Sequence, residues 1–185
     1  TKQVKISSGN ELSIFGARTE LTSELAVITQ VQNADKDRHR LFWVAGALRL
    51  AFVRLKGGRV KETHDNSLPG FRACTGGLVY VGNGSKINNP AASLNATRNV
   101  VFKGGKARYG GGLAAYGSES TIWIGVGSEV KGNWAKKNGG GVSLEYSSTL
   151  TTVNSVIHSN TADDDGGGVF LDGSSTLTTV NSVIH

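Results

Sequence analysis

Apolar and polar residues alternate with a period of two in several short stretches, as at Val4 and Ile6, Leu12 and Ile14, and Leu48 and Leu50. That period marks extended chain, whose successive side chains point to opposite faces. Residues 149–157 are rich in Thr, Val and Ile, which also suits strands. No part of the repeated region carries the spacing of an amphipathic helix, and its glycine triplets would break one. The pattern predicts an all-β chain. The longest apolar stretch, residues 41–53, is interrupted by Arg49 and is too short to span a bilayer as a helix. Residues 1–15 alternate instead of forming an apolar block, so a secreted form would already have lost its signal peptide.

The strand pattern is copied. SSTLTTVNSVIH occurs at residues 147–158 and again at 174–185, an offset of 27, and residues 139–158 and 166–185 agree at 17 of 20 positions. A unit this regular is one supersecondary element repeated along an axis. Fainter copies lie upstream: an apolar residue, two more, Asn or Gly, one more, then a small apolar residue. They read LKGGRV from Leu55, FKGGKA from Phe102, VKGNWA from Val130 and IHSNTA from Ile157. Each is followed by a glycine cluster and an apolar residue. The first-residue spacings, ending at Ile184, are 47, 28, 27 and 27. The long interval holds two excursions, residues 61–75 and a stretch near residues 85–94.

Tandem strands of this length without helices fit a β-solenoid, each strand hydrogen-bonded to its copy about 4.8 Å away. Equivalent side chains then stack. Asn133 and Asn160 begin an asparagine column, and Ala107, Ala135 and Ala162 share a narrow corner. The expected organisation is a single domain over residues 1–185. Residues 1–54 form irregular leading coils, 55–109 a coil with excursions, and 110–185 the regular repeats. The last copy stops mid-coil at His185, which predicts further chain beyond it. A bare solenoid end with open strand edges would invite end-to-end association or a larger assembly.

Composition narrows the class. Twenty-six glycines among 185 residues follow no every-third pattern, and there are only 2 prolines, which excludes collagen. A single cysteine, Cys74, excludes a disulfide framework and a cysteine zinc cluster within the chain. Methionine is absent even at position 1, as in a processed chain or a piece of a longer one. A net charge of +6 favours acidic partners in general.

The combination of apolar-x-x-Asn, a following Ala and Gly-Gly-Gly-Val resembles the repeat of the polymorphic outer membrane protein family, whose hallmarks are F-x-x-N and G-G-[AVLI]. The resemblance spans roughly residues 40–185. It implies a right-handed parallel β-helix of the pectin-lyase-like class, extracellular or on a cell surface. The chain departs from the pattern in two ways. Phe is kept only at Phe102, and Gly58 and Gly105 replace the asparagine in two coils. The family's outer-membrane anchoring is not carried over.

Three groups of residues bear on chemistry. Lys56, Lys103 and Lys131 occupy one place in successive copies, continued by His158 and His185, and Arg59 and Lys106 occupy another. Stacked, they make a positive stripe suited to an acidic or sulfated polysaccharide. No nucleic-acid reading module accompanies it. Asp163, Asp164 and Asp165 are weak candidates for a Ca2+ site. At the 27-residue offset they also face Lys136, Lys137 and Asn138, and cross-coil pairing would explain them. The excursion at residues 61–75 holds His64, Asp65 and Cys74, and is the natural place for a ligand contact. Asn83 and Asn95 begin N-glycosylation sequons. Trp123 aligns with Leu150 and Leu177 at the same offset, which predicts packing, whereas Trp134 could line a sugar platform.

Two functions follow as expectations. One is a structural or adhesive surface β-helix that binds anionic polysaccharide without turnover. The other is a polysaccharide-active lyase, hydrolase or epimerase. Near-identical coils favour the first, because an active site needs one coil to differ from its neighbours.

Overall fold

The computed structural model describes residues 4–16, 25–29, 40–60, 75–82 and 91–185. Its strands form three six-stranded sheets and one three-stranded sheet, and every pairing between strands is parallel. The first sheet stacks Val4–Ile6, Phe42–Val44, Val79–Val81, Leu113–Tyr116, Val142–Glu145 and Val169–Leu171. The second stacks Glu11–Phe15, Ala47–Ala51, Ala92–Arg98, Ser120–Val126, Thr149–Val153 and Thr176–Val180. The third stacks Ala26–Thr29, Val53–Lys56, Val101–Lys103, Glu129–Lys131, Val156–His158 and Val183–Ile184. Lys106–Ala107, Trp134–Ala135 and Thr161–Ala162 form a narrow corner sheet. The chain visits the sheets in rotation and pairs each strand with its counterpart one coil away. It is an all-β parallel β-helix.

The register is the one expected from the repeat. Leu55, Phe102, Val130, Ile157 and Ile184 stand in a single file on the third sheet. Ile28 extends that file by one coil that the repeat pattern did not reveal. Ala107, Ala135 and Ala162 stack on the corner sheet. Part of the second expected excursion is not a loop, because Ala92–Arg98 is a strand of the second sheet. Its Leu94 lies between Leu48 and Ile122 in the inward file, and its burial there accounts for the strand.

Three inward faces close on one core. Val44, Val81, Ala115 and Leu144 come from the first sheet. Leu50, Ala96 and Ile124 come from the second, and Leu55, Phe102, Val130 and Ile157 from the third. Burying each of the larger aliphatic side chains contributes about 1.5–3 kcal/mol against exposure.

Every coil must turn sharply between sheets, and these corners explain the glycine and asparagine content. Between the second and third sheets Asn99, Asn154 and Asn181 take left-handed φ values of 50°, 47° and 47°. Asparagine tolerates this region better than most residues. Phe52 occupies the equivalent corner at φ 55°, where a bulky residue is strained. Between the third sheet and the corner sheet the same task falls to Gly57, Gly104 and Gly132, at φ 79°, 70° and 59°.

The alignment of Trp123 is corrected by the structure. Ile122, not Trp123, pairs with Leu150, and Trp123 pairs with Thr151 on one side and Asn95 on the other. Between the second and third sheets this coil is one residue longer than its successor, from Ile122 to Val130 against Leu150 to Ile157. In a strand a slip of one residue reverses the face. Trp123 therefore points outward and is 42% exposed.

Candidate functional site

Lys56, Lys103 and Lys131 are in register on adjacent strands of the third sheet. Each directly follows an inward residue (Leu55, Phe102 or Val130), so strand alternation turns the lysine outward. Lys56 and Lys103 are exposed and Lys131 is half-buried. Arg59 and Lys106 are joined by a parallel bridge on the far side of the Gly57 and Gly104 corner and form a second, shorter file. Arg54, also exposed, stands one pleat before Lys56 and adds a cation that the repeat pattern did not single out. Its signal was available, because residues two apart in a strand share a face.

Adjacent strands lie about 4.8 Å apart, inside the ~8 Å screening length of physiological salt, so the cations in a file repel one another. Lys131 carries a counter-charge, being ion-paired with Glu129 on its own strand. The file continues past Lys131 to His158, and the backbone N–H of His185 donates to the carbonyl of Ile157 one coil on.

The acidic run lies against the preceding coil. The Trp134 indole donates to Asp163 Oδ1 at 3.0 Å, and Lys137 Nζ is ion-paired with Asp164. Asn138 Oδ1 accepts from the Asp165 backbone N–H at 3.4 Å. These contacts supply the cross-coil pairing, and the exposed ion pair is worth only ~0.2–1 kcal/mol. Among the described residues no three His, Cys, Asp or Glu side chains are grouped as a metal ion would need. Trp134 is thus a hydrogen-bond donor to the acidic corner, paired on its strand with Lys106 and Thr161.

One titratable group stands out only in the folded chain. Glu145 ends a strand of the first sheet, is only 6% exposed, and is reached by Ser143 Oγ at 3.5 Å. Burial, joined by the charge of Asp172, pushes its carboxyl up to about 8 from the usual 4.5, while the Ser143 hydrogen bond pulls the other way. The pair was legible, because Asp172 lies one 27-residue repeat after Glu145 at one of the three positions where the two copies differ.

His64, Asp65, Cys74 and Asn83 lie outside the described residues. Asn95 sits mid-strand beside Trp123, with its Oδ1 buried. No helix among the described residues is long and apolar enough to cross a membrane. No family model, curated protein or solved structure matches this chain.

Proposed function

We propose that this chain is part of an extracellular or cell-surface β-helix protein that binds an acidic or sulfated polysaccharide along its axis without turning it over. The observation that carries the reading is the in-register file of Lys56, Lys103 and Lys131 with Arg59 and Lys106 beside it. A linear polyanion laid across the strands neutralises several cations at once and relieves their mutual repulsion. The resemblance to polymorphic outer membrane protein repeats supports the cell-surface part of the reading.

Dextran sulfate is a suitable probe. Its affinity should fall at least ~10-fold between about 50 and 200 mM salt. Lys103→Glu combined with Lys131→Glu should abolish binding. Lys5→Glu, on the outer side of the first sheet, should leave it intact. Salt-independent binding would overturn the proposal. So would binding lost on replacing Asp163, Asp164 and Asp165 by Asn while the lysine variants still bind.

A second reading, a polysaccharide-active enzyme, draws on the Glu145 and Asp172 carboxyl pair. One member holds a proton near neutral pH, as acid catalysis at such a pair requires. It ranks behind because Glu145 is 6% exposed, which leaves a substrate little to reach. Release of new reducing or unsaturated ends from a polysaccharide, lost in Glu145→Gln, would establish turnover in place of simple binding.

A further inference from the structure

The cation file does not end in lysine. Its next two places are held by His158 and His185, whose rings lie 5.7 Å apart and nearly parallel, at 17°. Among the described residues, the charged or titratable groups near His158 are few. Lys131 pairs with it from the preceding coil, Glu129 lies on that same strand and is tied to Lys131, and His185 stacks from the following coil. On its own side His158 Nδ1 meets Ser159 Oγ at 3.0 Å.

Histidine is the side chain that changes charge between about pH 8 and 5. In this file each proton added to a ring places a positive charge beside Lys131 or beside the other ring, one strand spacing away. An anion laid over the file offsets that added charge. Proton uptake and polyanion binding are therefore linked, because whatever favours the charged file favours both.

We propose that His158 and His185 form a pH-responsive extension of the lysine file, so that the protein takes up protons when it binds a sulfated polysaccharide and grips it harder as the medium acidifies. This rests on the polyanion reading above and adds regulation to it. Sulfated chains are the fitting class, because a sulfate ester keeps its charge over the range in which histidine gains one.

The test is dextran sulfate binding at constant ionic strength from about pH 8 to pH 5.5, where histidine titrates. Affinity should rise about tenfold, and log K should fall more steeply with log salt at the lower pH, by about one to two charges. His158→Gln with His185→Gln should flatten the pH dependence. Calorimetry of the unaltered protein in two buffers of different ionisation enthalpy should show net proton uptake on binding near pH 6.5. That measurement needs no variant to fold. Lysine-dependent, salt-sensitive binding with no pH dependence and no proton uptake would overturn this inference and leave the polyanion reading standing. Absence of binding at every pH would overturn both.

Discussion

Two polar pairs in this molecule sit one repeat apart in the same way and behave oppositely. At the corner sheet, Asn133 lies under Asn160. Asn133 Nδ2 donates to Asn160 Oδ1 at 2.9 Å and to the Phe102 carbonyl at 3.1 Å, and its Oδ1 accepts the Gly105 N–H at 2.8 Å. Asn160 repeats the pattern by donating to the Val130 carbonyl at 2.9 Å. On the first sheet Glu145 is buried beside Asp172, and burial, joined by the Asp172 charge, pushes its carboxyl up to about 8. A repeat protein stacks each side chain on its own copy. An amide carries a donor and an acceptor and complements itself, whereas a carboxylate carries only acceptors and does not. The same rule applies to the lysine file, where like charges stack and Lys131 is answered by Glu129 on its own strand.

The sharpest way to break the contrast is to turn one pair into the other. Asn133→Asp keeps the acceptor for Gly105 but removes both donors and puts a charge at a site 2% exposed. It should cost more than ~3 kcal/mol at neutral pH and partly recover in acid, checked by denaturant unfolding at the two pH values. Asn133→Ala should cost somewhat less, on the order of 2–4 kcal/mol, for the unpaired Gly105 N–H and Phe102 carbonyl. Asn160→Ala, at the half-exposed end of the column, should cost less again. Asn138→Ala, whose Oδ1 makes only the long contact to the Asp165 N–H, should barely shift the melting temperature. Equal effects at Asn160 and Asn138 would break the ladder account.

The reverse exchange is Glu145→Gln. The folded-state value of Glu145 is raised, so its contribution is fully present below the usual 4.5 and is lost as pH climbs toward about 8. The melting temperature should therefore decline by on the order of several degrees across that interval, and the decline should largely vanish in Glu145→Gln. A profile unchanged by the substitution would mean that Asp172 and burial do not act as described. The smallest effect belongs to the complementary but exposed pair. Lys137→Ala should cost ~0.2–1 kcal/mol and lose even that in high salt, measured by thermal melts with and without salt.

Much of this architecture is legible in the chain itself. The 27-residue copies locate the inward file from Leu55 to Ile184 and the Asn133–Asn160 column, because identical units stacked on an axis leave little freedom of register. The same offset places Lys137 beside Asp164. It fails at Trp123, where a coil longer by one residue carries the indole to the outer face. It also misses the coil at Ala26–Thr29, whose side chains resemble the repeat too weakly to be matched although its backbone pairs like the others.

The sequence by itself determined the fold class, the coil length and the chemistry of each column. Strand alternation and exact repetition are one-dimensional properties, and a solenoid adds only a translation to them. What the tertiary structure decided was the face each residue takes where coil lengths differ, and the environment of the groups it buries. Glu145 is an ordinary glutamate in the sequence. The 27-residue offset already sets Asp172 beside it, but only the packed first sheet removes it from water, since desolvation depends on neighbours in space and not along the chain.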